Sequence, residues 1–97
     1  KDYERAMKLY PKFGAIYVNR GNLFFLGQSY DSAILEYTKA LDLDLRQDYV
    51  AYLNRGMAYE KLGKLSNAES DYRLAIELAP EWSVAKSKLE RVLIKIN

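Results

Sequence analysis

The side chains that could do chemistry in this sequence are carboxylates, amides, hydroxyls and basic groups, because its 97 residues contain neither Cys nor His. Without a thiol or an imidazole there is no disulfide, no Cys nucleophile, no imidazole base and no usual zinc or copper ligand set. The 15 Lys and Arg against 13 Asp and Glu leave a net charge of +2, too small to favour nucleic acid or an anionic membrane. The composition therefore predicts a chain that is not an enzyme and has no cofactor, no metal, no nucleic-acid partner and no membrane partner.

One acidic cluster could suggest a hard-cation loop. Asp42, Asp44 and Asp48 lie within a short stretch of the chain. The stretch lacks the Gly and the terminal Glu of an EF-hand loop. The cluster therefore favours a solvated connector over a cation site.

The length predicts one small globular unit, and no apolar run approaches the roughly 18 residues needed to span a bilayer. The first residues do not resemble a signal peptide. The chain begins with Lys1, and its first residues already belong to a repeat unit, as described below, so we expect a fragment of a longer protein. The sequence does not identify the cellular compartment, and the cytoplasm is the first expectation.

An internal repeat organises the chain. Residues 17–24 match residues 52–59 at an offset of 35, and the same offset relates Ala33 to Ala68 and Tyr37 to Tyr72. A fixed period of this length is typical of stacked repeat units. The sequence therefore contains two homologous units in tandem.

The first residues extend the repeat at an offset of 34. Their packing positions anticipate those of the later helix, with the pairs Tyr3 and Tyr37, Ala6 and Ala40, and Leu9 and Leu43. One residue is therefore inserted within 42–48, and loops absorb insertions at little cost.

Apolar residues within each unit recur at spacings of three and four, which is typical of amphipathic helices. Gly27 and Gly63 mark the breaks inside the units, since Gly takes the left-handed conformation that ends a helix. Pro11 and Pro80 are expected in connectors between units. The predicted helices cover residues 1–10, 14–27, 30–43, 48–62, 66–78 and 82–96.

The second unit resembles the tetratricopeptide repeat family in its aromatic, glycine, alanine and proline positions. These are Tyr52, Gly56, Tyr59, Ala68, Tyr72 and Pro80, and the first unit repeats them with Tyr17, Gly21, Phe24, Ala33, Tyr37 and Leu45. The resemblance implies an all-α fold, an α-solenoid of antiparallel helix-turn-helix repeats in a right-handed superhelix of about six helices. The implied divisions are 1–13, the second helix of a truncated preceding repeat; 14–48, unit 1; 49–82, unit 2; and 83–97, a C-terminal capping helix.

Small residues should allow close helix packing in each unit. Gly21 and Gly56 remove a side chain where the second helix crosses the first, with Ala33 and Ala68 as small partners. The N-terminal helix, with Tyr3, Ala6, Met7 and Leu9 as its packing face, has no polar cap. We therefore expect self-association through that uncapped helix.

The family resemblance also implies that the first helix of each unit lines a concave groove that binds peptides. The first-helix residues not used in packing are Val18, Asn19, Asn22, Phe25, Leu26, Val50, Leu53, Asn54, Met57 and Lys61, and the last helix adds Val84, Lys88 and Arg91. Amides can hydrogen-bond a peptide backbone as donor and acceptor, while apolar pockets take its side chains. The alternative is that Val18, Phe25, Leu53 and Met57 pack against one another or against a further helix.

A subset of the family clamps the C-terminal carboxylate of heat-shock chaperones with Lys, Asn, Asn, Lys and Arg. Asn22 and Asn54 match the two amides, and Lys88 supplies a cation at the last site. Val18 and Val84 occupy the two Lys sites, so three of the five positions match. A mixed or apolar peptide groove is favoured over a carboxylate clamp.

Three charged side chains are expected at the surface. Arg20 and Arg55 should pack the aliphatic parts of their side chains and keep their guanidinium groups in solvent, and Asp71 should belong to an exposed helix face.

The predicted function is a noncatalytic protein-protein interaction scaffold that binds a peptide segment of a partner. The alternative is a structural, self-assembling segment that stacks end to end without a groove ligand.

Overall fold

The computed structural model describes residues 4–44 and 46–96, with side chains from residue 14 onward. Five α-helices follow one another: α1 Glu4–Leu26, α2 Tyr30–Leu43, α3 Tyr49–Lys61, α4 Leu65–Leu78 and α5 Ser83–Ile96. The described residues contain no strand. The predicted all-α class is therefore confirmed.

The helices pack in chain order. α1 packs on α2 and α3 on α4 as helical hairpins, and α2 packs on α3 and α4 on α5 between hairpins. The molecule is accordingly elongated, with extents of 50 × 30 × 16 Å. This arrangement confirms the predicted solenoid, in which each hairpin buries its apolar faces against its neighbours. Within the described chain, no helix combines the length and hydropathy needed to cross a bilayer.

The predicted break around Pro11 is wrong, because α1 continues through it. The helices expected at 1–10 and 14–27 form one helix over Glu4–Leu26, so the described residues contain five helices where about six were expected. The proline ring fixes φ near the helical value, although it removes one backbone hydrogen bond. The packing face expected at Tyr3, Ala6, Met7 and Leu9 lies outside the described side chains.

The junction between α2 and α3 contains a left-handed residue and a capping side chain, and the corresponding part of α1 lacks the capping side chain. Arg46 adopts a left-handed φ of 61°, and the Asp48 carboxylate accepts a hydrogen bond of 3.0 Å from the Ala51 amide. Such a side chain at the helix start satisfies a donor that would otherwise have no partner. At the offset of 34, Asp48 corresponds to Gly14, which has no side chain to cap a new helix. The chain therefore ends α2 at this junction but does not interrupt α1.

The turns inside the two hairpins use the left-handed conformation at the same repeat position. Gly63 has a φ of 79° and its counterpart Gln28 has a φ of 66°. The expectation that Gly27 takes this conformation is wrong, since the positive φ falls one residue later. A side chain at such a position is strained, whereas Gly is not.

Two glycines let a tyrosine ring lie directly on the first helix of each hairpin. A Cβ atom at Gly21 would lie 2.6 Å from Cε1 of Tyr37, and one at Gly56 would lie 2.7 Å from Cε1 of Tyr72. The close crossing expected at these glycines is therefore present, but the atoms in contact belong to the tyrosines. Ala33 and Ala68 are themselves fully buried.

A buried ion pair crosses the second hairpin. Arg55 donates through Nε and Nη2 to the two carboxylate oxygens of Asp71, both at 2.8 Å, and through Nη1 to Thr38 Oγ1 at 3.0 Å. Only 12% of the Arg55 side chain and 4% of the Asp71 side chain are exposed. The expectation that both groups are solvated is wrong, because a bidentate pair satisfies both charges away from water.

Candidate peptide-binding groove

Two adjoining cavities lie along the first helices of the hairpins and α5. We call the first the apolar pocket; it has a volume of about 180 Å³ and is lined by Asn22, Phe25, Leu26, Tyr37, Asn54 and Met57. We call the second the basic cavity; it has a volume of about 490 Å³ and is lined by Phe25, Met57, Glu60, Lys61, Lys88, Arg91 and Lys95. Phe25 and Met57 belong to both, so the two cavities form one continuous surface.

The apolar pocket is small for a ligand site. Small-molecule sites usually enclose roughly 300–1,000 Å³, so this pocket suits a single side chain. Phe25 is held by an edge-to-face contact with Tyr30, with ring centroids 5.2 Å apart. The aromatic wall is therefore fixed by the first hairpin itself.

An amide pair sits at the polar edge of the apolar pocket. The Asn22 Oδ1 atom accepts hydrogen bonds from the Tyr37 hydroxyl at 2.6 Å and from Asn54 Nδ2 at 3.2 Å. Burial raises the pKa of Tyr37 to about 12, so its hydroxyl stays a donor. These bonds orient the Asn22 amide, and its Nδ2 donors have no acceptor among the described residues. The pair can therefore offer hydrogen bonds to a peptide backbone or a carboxylate.

Glu60 organises the charges of the basic cavity. Its carboxylate accepts hydrogen bonds from Arg91 at 3.0 Å, from Lys95 at 2.7 Å and from the Tyr72 hydroxyl at 2.8 Å. Burial alone would raise the pKa of Glu60, but the hydrogen bonds from Arg91, Lys95 and Tyr72 outweigh burial and lower the pKa to about 2. The bonds to Glu60 also raise the pKa of Arg91. Arg91 and Lys95 are thus fixed by a carboxylate that is ionised at neutral pH.

The other two cations of the basic cavity are unpaired. Within residues 14–44 and 46–96, Lys61 and Lys88 have no carboxylate within 4.0 Å, the limit for an ion pair. One carboxylate therefore faces four basic side chains in this cavity. The excess positive charge favours an anionic group as the occupant.

Eight predicted groove residues line these cavities, and five do not. Val18 packs against the core, and Leu53 is only 6% exposed. The other three, Asn19, Val50 and Val84, are exposed outside both cavities. The side chain of Leu53 belongs to the main hydrophobic cluster and lines neither cavity. For Val18 and Leu53, packing against neighbouring side chains is the better description.

Three cavity residues were not predicted from the sequence: Tyr37, Glu60 and Lys95. The sequence identifies Tyr37 only as an aromatic position of the repeat, whereas in the structure its hydroxyl donates a hydrogen bond to Asn22. Lys95 lies four residues after Arg91, so helical spacing places both on one face of α5. This spacing is the sequence signal that could have identified Lys95. The sequence contains no comparable signal for the acceptor Glu60 beyond its position in α3.

Comparison with known proteins gives consistent matches. Residues 14–47 and 49–81 each match the tetratricopeptide repeat family. Heat shock protein STI1 of Saccharomyces cerevisiae is 34% identical over 73 residues, which are 75% of this chain and 12% of that protein. RNA polymerase II-associated protein 3 of Rattus norvegicus is 41% identical over 69 residues, which are 71% of this chain and 10% of that protein.

A solved structure matches at the level of the backbone. The first TPR of Spaghetti (RPAP3) bound to HSP90 peptide SRMEEVD has a TM-score of 0.85 and 32% identity, over 89% of this chain and 68% of that chain. In contrast, the chain spans only about a tenth of the two full-length relatives.

Proposed function

The chain belongs to the tetratricopeptide repeat family, whose repeats are protein-protein interaction modules, and we propose that it is a noncatalytic scaffold that binds a peptide segment of a partner protein. The proposed binding surface is the continuous groove of the apolar pocket and the basic cavity. Units 14–48 and 49–82 supply its apolar part, and the helix within 83–97 supplies most of its charge.

The observation that supports this proposal is the continuity of an apolar pocket with a cavity that holds two unpaired lysines. The apolar pocket has room for one side chain, and the cations Lys61 and Lys88 lie beyond Met57. A peptide that places an apolar side chain beside Phe25 would bring its following residues over these lysines. We infer that the preferred segment carries an apolar residue next to acidic residues.

The HSP90 peptide SRMEEVD is a suitable probe, because it combines Met and Val with acidic residues. This chain keeps Asn22, Asn54 and Lys88 at clamp positions, but Val18 and Val84 replace two lysines. We therefore expect weak binding of this peptide. Val84 is 44% exposed, so Val84→Lys should strengthen binding without disturbing the core.

The test is fluorescence anisotropy with labelled SRMEEVD and with peptides selected from a displayed random library. The double variant Lys61→Glu with Lys88→Glu should weaken binding by about tenfold or more, equivalent to about 1.4 kcal/mol. The matched control is Lys64→Glu with Lys86→Glu, which makes the same charge change at exposed lysines outside both cavities. The control should stay within about threefold of the parent chain, since distant surface charges are screened.

Two results would contradict the proposal. Equal loss in both double variants would mean that only net charge matters, and an unselective library would mean that the groove has no sequence preference. Asn22 is not used as the test position, because its replacement would leave the buried Tyr37 hydroxyl without its acceptor. Asn54→Ala is the cleaner amide variant.

A further inference from the structure

The basic cavity holds more positive charge than its own carboxylate neutralises. Four basic side chains line it, and among the described residues Glu60 is its one carboxylate. Glu60 is ionised at neutral pH and accepts hydrogen bonds from Arg91 and Lys95. Lys61 and Lys88 have no ion-pair partner within residues 14–44 and 46–96. The cavity therefore carries a net charge of +3, whereas the whole chain carries +2.

These cations come from two helices that the Glu60 carboxylate joins. Lys61 is the last residue of α3. The other three lie on one face of α5, at spacings of three and four: Lys88, Arg91 and Lys95. The hydrogen bonds to Glu60 fix the positions of Arg91 and Lys95 before any ligand arrives. The cavity is therefore preorganised for an anion that reaches both helices, which reduces the entropy lost on binding.

The bonds to Glu60 leave hydrogen-bond donors for such an anion. Arg91 uses Nε and Nη2 on Glu60, so its Nη1 group has no acceptor among the described residues, and the same holds for the ammonium groups of Lys61 and Lys88. A side-chain phosphate offers three terminal oxygens and a charge of about −1.5 to −2 at pH 7. A carboxylate offers two oxygens and a single charge. A phosphate therefore matches the charge and the donors of this cavity better than Asp or Glu does.

The spacing along α3 relates such a phosphate to the apolar pocket. Met57 lines both cavities, and Lys61 follows it by four residues, about 6 Å along the helix axis. In an extended peptide, residues two apart lie on the same side and about 7 Å from each other. We propose that the groove is specific for a phosphorylated segment, in which a phosphoserine or phosphothreonine two residues after the apolar residue occupies the basic cavity. This specificity rests on the proposed function, because the apolar residue anchors the segment.

The adjoining apolar pocket selects a peptide among the ligands that carry phosphate. A free phosphate would fill the basic cavity alone, whereas a peptide fills both cavities with one segment. The residues outside the basic cavity carry a net charge of −1, because the cavity accounts for +3 of a total of +2. They therefore offer no further attraction to an anionic membrane or to nucleic acid.

The test is fluorescence anisotropy with three labelled derivatives of the peptide SRMEEVD. The first has Ser in place of the second Glu, two residues after Met, and the second has phosphoserine there. The third has phosphoserine in place of the first Glu instead, so it has the same net charge as the second. Phosphoserine two residues after Met should lower the Kd at least about tenfold relative to Ser. The third peptide should bind at least about threefold more weakly than the second, because adjacent residues of an extended chain point to opposite sides.

Replacing the two unpaired lysines should remove most of the gain from phosphate. The gain is the ratio of the Kd of the Ser peptide to that of the phosphoserine peptide. In the double variant Lys61→Gln with Lys88→Gln, it should fall from at least about tenfold to about threefold or less. The matched control, Lys64→Gln with Lys86→Gln, removes the same charge outside both cavities and should keep the gain. Circular dichroism should show unchanged helicity in both variants, since none of these lysines is buried.

The pH dependence distinguishes a phosphate from a carboxylate. A phosphoserine loses its second proton near pH 6, so its affinity should rise between about pH 5.5 and 7.5. The chain contains no His, and Glu60, with a pKa of about 2, is ionised throughout this interval. The carboxylates of SRMEEVD are also ionised there, so its affinity should change less than about twofold.

Four results would overturn the proposed phosphate specificity. These are equal affinity for the Ser and phosphoserine peptides, an equal gain at the two phosphoserine positions, a gain that survives the loss of Lys61 and Lys88, and competition by inorganic phosphate or by phosphoinositide vesicles at the concentration of the phosphopeptide itself. If SRMEEVD and the Ser peptide bind and phosphate adds nothing, the groove stands and the phosphate specificity alone falls. If none of the peptides binds, the proposed function falls with it.

Discussion

Replacing Glu60 by Gln should loosen the attachment of α5 to the second hairpin. The Glu60 carboxylate joins α3 to Tyr72 of α4 and to Arg91 and Lys95 of α5, and only 6% of its side chain is exposed. Gln keeps the size of the side chain but removes its charge. The basic side chains of α5 would then face an amide instead of a carboxylate.

The magnitude follows from the pKa of Glu60, which the structure lowers from 4.5 to about 2. At about 1.36 kcal/mol per pKa unit, the ionised carboxylate contributes at most about 3 kcal/mol to the free energy of unfolding at neutral pH. Arg91 and Lys95 are 52% and 48% exposed, so solvent screening reduces this value. We expect Glu60→Gln to cost about 1–2 kcal/mol at pH 7.

The lowered pKa of Glu60 also determines how its contribution to stability changes with pH. Because the folded state lowers the pKa of Glu60, its stabilisation is present above about pH 4.5 and is lost as the pH falls towards 2. The difference between the parent chain and Glu60→Gln should therefore shrink over that interval. Urea unfolding followed by circular dichroism at pH 7, 4 and 2.5 measures this difference.

The matched control is Glu69→Gln. Glu69 pairs with Arg73 on the exposed face of α4, so its replacement should cost less than about 0.5 kcal/mol at every pH. A Glu60→Gln variant as stable as the parent at pH 7, or a stability difference that does not change with pH, would refute the reasoning.

Three further predictions concern the packing of the hairpins. Gly56→Ala should lower the free energy of unfolding in urea by about 1–3 kcal/mol, because the added Cβ meets the Tyr72 ring. The control Gly27→Ala places its Cβ no closer than 3.6 Å to another atom and should change the free energy of unfolding by less than about 0.5 kcal/mol. Equal costs for the two variants would contradict the packing argument. Gln28→Gly should raise the free energy of unfolding by about 0.5–1 kcal/mol by relieving the positive φ, and a loss of stability would show that the side chain matters more than the backbone. Arg55→Met should cost about 3–5 kcal/mol because Asp71 is left buried and unpaired, and adding Asp71→Leu should recover most of that loss; no recovery would contradict the assignment of the cost to the unpaired charge.

The positions that set the helical repeat could be predicted from the sequence, because packing requires particular residue sizes there. Gly21 and Gly56 indicated close contact correctly, since only Gly leaves room for a tyrosine ring. The continuity of α1 could not be predicted in the same way. A Pro usually signals the end of a helix, but α1 continues through Pro11. The reason is that the described residues near Pro11 include neither a capping side chain nor a residue with a left-handed φ.

The buried ion pair was missed although the sequence contained a signal for it. Arg20 and Arg55 occupy one repeat position, and Glu36 and Asp71 occupy another, so opposite charges recur together in both units. A paired recurrence indicates contact, whereas each charge alone indicates exposure. The two pairs still differ in geometry: Arg20 Nε lies 3.6 Å from Glu36 Oε1, which has no hydrogen-bond partner among the described residues. The repeat predicts which groups meet, but not how well they are satisfied.

The polarity of the groove follows from a requirement that both hairpins share. Tyr37 and Tyr72 are buried at equivalent repeat positions, and each hydroxyl needs an acceptor. The first hairpin supplies Asn22 Oδ1 and the second supplies the Glu60 carboxylate.

The difference between the two acceptors is accompanied by different side chains at two further repeat positions along the groove. Phe25 occupies the repeat position of Glu60, and Leu26 occupies that of Lys61. A neutral acceptor in the first hairpin leaves this end of the groove free to be apolar. A charged acceptor in the second hairpin attracts Arg91 and Lys95 from α5, and this end becomes basic. The two ends therefore differ because the equivalent buried hydroxyls, of Tyr37 and Tyr72, are satisfied by different acceptors, and under the proposed function this difference would set the direction of a bound peptide.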